Sequence, residues 1–122
     1  MPTILIVEDE EQIRESYVEI LELEGYGAFG AGNGRVGLDI IDQTPIDLVV
    51  CDLLMPYMNG HQMLVELRQN PATANMPFIL VSAKNDQATR EESFALGATA
   101  ILAKPVKLEK LLETIQECLD DV

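Results

Sequence analysis

Short unbroken apolar runs alternate with longer segments whose apolar positions recur every three or four residues, from one end of the chain to the other. TILIVE (3–8), IDLVVC (46–51) and FILVS (78–82) are almost wholly apolar, which predicts strands buried on both faces. YGAFGA (26–31) is a weaker strand, diluted by glycine and suited to a sheet edge, and TAILA (99–103) is the fifth. Between them, EEQIRESYVEILELEG predicts a helix with Ile13, Tyr17, Ile20 or Leu21 and Leu23 on its inner face, closed by Gly25. A shorter helix over 33–44 carries Val36, Ile40 and Ile41, with Gly37 in its interior at a cost of about 1 kcal/mol relative to alanine. The third helix follows Gly60 and turns Met63, Leu64 and Leu67 inward. The fourth, over 86–96, is polar, with Ala88, Phe94 and Ala95 as its inner face and Gly97 at its end; the fifth carries Leu108, Leu111, Leu112, Ile115 and Leu119.

Consecutive βα units predict an α/β fold, a doubly wound parallel sheet of five strands, because parallel neighbours need crossovers and helices supply them. The 122 residues suit one domain, 1–122, and are too few for a closed eight-unit barrel. Charge narrows the picture further. With 21 acidic residues against 8 basic ones, the net charge of -13 disfavours direct binding of nucleic acid or an anionic membrane, and favours cations or cationic partners. Cys51 and Cys118 show no paired spacing, no apolar run reaches the about 18 residues of a membrane span, and MPTILIVEDE is not a signal segment, so the expected setting is the reducing cytoplasm.

All strands of a parallel sheet share one C-terminal edge, where ligands bind. At that edge the first strand ends in Glu8 and Asp9, the third in Asp52, the fourth in Ser82 and the fifth in Lys104 followed by Pro105. Each has an ordinary alternative: Asp9 or Ser82 as a helix cap, Glu8 or Lys104 as a solvated rim residue. Together they suggest acids that need a cation to coexist. A hard divalent ion, Mg2+, suits Asp9 and Asp52 as direct ligands, Glu8 through a water, and the backbone carbonyl of Leu54. One oxygen of Asp52 can then attack a phosphoryl group, with Lys104, the Ser82 hydroxyl and backbone amides near Leu54 and Ala83 offsetting phosphate charge. His61 reads as a partly packed surface residue at the start of the third helix.

ILIVEDE, CDLLMPYMNG, LVSA and LAKP, in this order and spacing, resemble the response-regulator receiver domain of two-component signalling over essentially the whole chain. The resemblance implies a flavodoxin-like strand order 2-1-3-4-5, phosphorylation at Asp52 and a metal site of Glu8, Asp9, Asp52 and Leu54. It further implies phosphate contacts from Leu54, Ser82, Ala83 and Lys104, and a cis peptide between Lys104 and Pro105. The implied donor is a histidine kinase or histidine phosphotransfer protein. The implied output is an effector protein on the face of the fourth helix, fifth strand and fifth helix. Ser82 is the switch hydroxyl; Ile101 stands where relatives carry the coupled aromatic ring. Such a domain is a regulatory phosphoacceptor and not an enzyme on outside substrates, and an apolar Leu54 implies slow loss of the phosphoryl group. Two other readings remain: a binding-only pseudo-receiver, and an aspartate-nucleophile phosphatase, which usually carries a second Asp where this chain has Leu54.

Overall fold

The structure, a computed structural model, describes residues 1–120; the last two residues of the expected domain lie outside the described ones. The elements alternate strictly: β1 (Thr3–Val7), α1 (Glu11–Leu23), β2 (Gly27–Ala31), α2 (Gly34–Gln43), β3 (Leu48–Asp52), α3 (Gly60–Gln69), β4 (Phe78–Ser82), α4 (Gln87–Ala95), β5 (Ala100–Ala103) and α5 (Leu108–Asp120). The strands form one parallel sheet in the order β2-β1-β3-β4-β5, with glycine-diluted β2 at an edge. Both faces of the sheet are covered. Leu5, Val7, Val49, Cys51, Phe78 and Leu80 pack on one side with Met63, Leu64 and Leu67 of α3. Ile4, Ile6, Leu48, Val50, Ile79 and Val81 pack on the other with Leu21 of α1 and Leu111, Ile115 and Cys118 of α5.

Local chemistry starts the helices. The Asn33 side chain accepts from Val36 N at 2.9 Å, and Asp86 accepts from Thr89 N at 3.2 Å. Asn59 and Gln62 form a reciprocal capping box at the start of α3, with both bonds at 2.8 Å. α1 begins at Glu10 with no side-chain cap, so Asp9 does not serve as one.

Three details differ from the sequence reading. Leu23 is 79% exposed, because the inner stripe of α1 runs through Tyr17, Val18 and Leu21 and position 23 lies on the far side of the helix. In α4, Ala88, Phe94 and Ala95 face outward, and the buried residues are Thr89 and Ser93. These polar groups tolerate burial because they are paired: Ser93 Oγ donates to the Thr89 carbonyl at 2.7 Å and lies 2.6 Å from Nε2 of His61. His61, half-buried as its partly packed reading expects, ties α3 to α4. Gly37, finally, does more than weaken α2: an added Cβ would lie 3.0 Å from Met63 Cε and 3.3 Å from Val7 Cγ2, so glycine lets α2 approach the sheet and α3.

Candidate functional site

Strand register assembles the acids. Val7 is level with Cys51, so the next residues, Glu8 and Asp52, stand side by side as their strands end. Ligand-capable oxygens of Glu8, Asp9 and Asp52 lie within 4.8 Å of one another. Lys104, just past β5, reaches across to this group: its Nζ lies 2.8 Å from Asp52 Oδ2 and 3.5 Å from Glu8 Oε1. Glu8 and Asp52 are buried, whereas Asp9 is exposed at the mouth.

The electrostatics are those of crowded carboxylates. Burial, a hydrogen bond with Asp9 and the charge of Asp52 together push Glu8 from its ordinary value of 4.5 up to about 7, against the pull of Glu10 N and Lys104. For Lys104, burial opposes the charge, but its hydrogen bond to Asp52 and the nearby negative charges outweigh it and raise its pKa. Because the folded state binds the Glu8 proton more tightly than the unfolded chain, this group favours folding below 4.5 and that contribution is lost as pH rises through about 7. In metal-free solution, Glu8→Gln should therefore raise the melting temperature near pH ~8 and lose that advantage near pH ~5. Equal shifts at both values in calorimetry would contradict the raised pKa.

The remaining expected residues are distributed around this group. Ser82, buried at the end of β4, accepts from Lys84 N at 2.9 Å through its hydroxyl and makes no hydrogen bond to Asp52 among the described residues. Leu54 is 60% exposed, Ala83 is exposed, and Ile101 is half-buried level with Leu80. The Lys104–Pro105 peptide is cis. Two contributors went unrecognised in the sequence. Arg14 donates through Nη1 to the Glu8 carbonyl at 2.8 Å, fixing the turn that carries the acids; as one arginine within a helical pattern it gave no signal. Gly60 was read only as the end of a turn. Its N–H donates to the Leu53 carbonyl at 2.8 Å, and a Cβ there would lie 2.8 Å from the Asp52 carbonyl oxygen, so glycine lets the loop after Asp52 close on the sheet.

Residues 4–116 match the model of the response regulator receiver domain. The chain belongs to that family. It is 34% identical to the transcriptional regulatory protein CpxR of Escherichia coli over 98% of this chain and 50% of that protein. Against the chemotaxis protein CheY4 of Vibrio cholerae the TM-score is 0.93 at 29% identity, covering 98% of this chain and 99% of that one. Against the response regulator TrrA of Thermotoga maritima, solved in complex with Mg(2+)-BeF, it is 0.85 at 31% identity, covering 98% and 100%. The chain spans about half or less of the length of several curated relatives, 45%, 27% and 51% in three cases. As a receiver it is a regulatory phosphoacceptor, and its acidic cluster corresponds to the site that such domains use for metal and phosphoryl groups. No helix among the described residues is long and apolar enough to cross a membrane.

The donor set suits a hard divalent ion, being all oxygen. Opposite ligands of octahedral Mg2+ lie about 4.1 Å apart. The three acid oxygens, all within 4.8 Å of one another, are close enough to share one such ion, directly or through a bridging water.

Proposed function

We propose that Asp52 accepts a phosphoryl group from a phosphohistidine on a partner kinase or phosphotransfer protein. Mg2+ would be held by Asp9, Asp52 and the Leu54 carbonyl, with Glu8 acting through water. The observation that carries this reading is the convergence of three acid oxygens within 4.8 Å, with Lys104 Nζ 2.8 Å from Asp52. When bound, the metal offsets the negative charge of both carboxylate and phosphoryl group.

The protein's own groups do the rest. Lys104 holds Oδ2 of Asp52, which orients the carboxylate and presents the other oxygen to phosphorus. That oxygen forms the new O–P bond as the P–N bond to the donor imidazole breaks, and the bonding pair leaves with the nitrogen, which takes a proton from solvent. Once the phosphoryl group is in place, Lys104 and amides near Leu54 and Ala83 would bind its oxygens, and the Ser82 hydroxyl would exchange its Lys84 contact for phosphate. This local rearrangement would alter the face formed by α4, β5 and α5 and so its affinity for an effector. The phosphatase alternative lacks support, because Leu54 offers no acid to a leaving group. A binding-only role leaves the assembled acids and lysine unexplained.

The test is labelling by a small acyl phosphate: incorporation should require Mg2+ and disappear in Asp52→Asn. Labelling that survives this substitution would refute the assignment. Leu54 bears on the lifetime. An apolar side chain beside the acceptor cannot orient attacking water, so the phosphorylated form should decay slowly, and Leu54→Asn should accelerate decay about tenfold, a fraction of what a full general base supplies. Unchanged decay, followed by loss of label, would count against this role.

A further inference from the structure

Two-residue alternation carries Ile6 on to Glu8, Val50 on to Asp52 and Leu102 on to Lys104, so all three charged side chains start from the face of the sheet that α1 and α5 cover. From there Lys104 has far to reach. β4 separates β5 from β3, and neighbouring strands lie about 4.8 Å apart, so the ammonium bonds Asp52 from two strands away and meets Glu8 from three. The stem must stay extended across the end of β4, and a flexible four-carbon stem holds such a course where apolar surface flanks it. Val50 and Val81 line the space beside Lys104, Asp52 and Glu8 from the sheet, and Tyr17 lines it from α1. That space amounts to about 10 Å³, the lower limit for one water, so the Tyr17 ring leaves next to no room for solvent on this side of the pair. The phenol is near enough to register the site: burial raises its pKa above the ordinary value, and the charge of Lys104 lowers it while those of Glu8 and Asp52 raise it.

We propose that Tyr17 is a positioning residue for phosphoryl transfer: its ring walls the stem of Lys104 on the α1 side and so keeps the ammonium on Asp52. The proposal rests on the phosphoacceptor reading above and adds to it a side chain from α1, which supplies none of the charged groups that meet phosphate or metal. Among the described residues the Tyr17 hydroxyl makes no hydrogen bond to Lys104 or to either acid, which leaves the ring as the acting part. With a shorter side chain in its place, the stem can fold into the opened space and water can reach the ammonium. Lys104 then offsets less of the charge on the transferring phosphoryl group. Metal binding responds differently, because the ammonium competes with a cation for the same carboxylates, and loosening it does not weaken their hold on Mg2+.

The test compares the full chain with Tyr17→Leu, Tyr17→Phe, Lys104→Met and the double variant Tyr17→Leu/Lys104→Met, measuring initial rates of labelling by a small acyl phosphate and Mg2+ affinity by titration. Tyr17→Leu should slow labelling about tenfold, less than loss of the lysine itself, while Mg2+ affinity is unchanged or tighter. Tyr17→Phe, which keeps the ring, should label within about twofold of the unsubstituted chain. Once Lys104 is replaced by Met, Tyr17→Leu should slow labelling no further, because a residue that acts through the lysine has nothing left to act on. Four results would each overturn the proposal. Tyr17→Leu could label at the full rate, or slow labelling equally with and without Lys104, which would mean that the ring acts elsewhere. It could weaken Mg2+ binding, the mark of a disturbed fold, or Tyr17→Phe could be as slow as Tyr17→Leu, which would move the role to the hydroxyl. Any of these beside normal labelling of the unsubstituted chain refutes only the role of Tyr17, whereas absent labelling in the unsubstituted chain refutes the phosphoacceptor reading.

Discussion

Lys104→Met is expected to slow Mg2+-dependent phosphorylation of Asp52 by about a hundredfold, the scale on which loss of one preorganised charge-stabilising donor is felt. The same substitution should tighten Mg2+ binding. Lys104 Nζ sits 2.8 Å from Asp52 and 3.5 Å from Glu8, so the ammonium would compete with a metal held by the same carboxylates. Removing the ammonium leaves the acids more dependent on the ion. Opposite changes in metal affinity and phosphorylation rate distinguish this from simple damage to the fold, which would weaken both. Metal titration and initial labelling rates provide the comparison, and a labelling rate within twofold of the unsubstituted chain would contradict the role given to Lys104.

Gly60→Ala is expected to destabilise the domain by about 3 kcal/mol, because the added carbon meets backbone atoms that cannot turn aside. It would lie 2.8 Å from the Asp52 carbonyl oxygen and 3.0 Å from Leu53 Cα, and 2.7 Å from Leu80 Cδ2, a buried side-chain end that would also have to shift. Relief requires α3 to back away from the loop behind the acceptor, so metal affinity should fall with stability. A melting temperature lowered by about 10–15 °C is the expected result. Gly32→Ala is the control: its Cβ would come no nearer than 3.4 Å to an arginine nitrogen, and its effect should stay within about 0.5 kcal/mol. Similar behaviour of the two variants would show that the close approach at Gly60 does not govern the site.

The sheet and its functional edge were legible because both follow from simple periodicities. Unbroken apolar runs at 46–51 and 78–82 announce parallel strands, and such strands end at one edge, which brings Glu8, Asp9, Asp52 and Lys104 together without knowledge of any single contact. The helices were legible where apolar burial holds them, as at Met63, Leu64 and Leu67. α4 escaped that rule. Its buried face is Thr89 and Ser93, satisfied through the Thr89 carbonyl and His61, and a pattern that equates inside with apolar turns the helix over. Leu23 was misplaced for the opposite reason, since single leucines are common on protein surfaces. Gly37 and Gly60 look like weak helix residues in a sequence, and only the distances to Met63, Val7, Leu80 and the Asp52 carbonyl show that they are small because the space is.

The central claim is that Asp52 is the phosphoacceptor within a cation-binding trio. A crystal structure of the chain grown with Mg2+ and beryllofluoride tests it most directly. The expected result is beryllium bonded to one oxygen of Asp52, with Lys104 on a fluoride and the metal about 2.0–2.1 Å from oxygens of Asp9 and Asp52. Beryllofluoride on another residue, or a metal bound away from Asp9 and Asp52, would contradict the account.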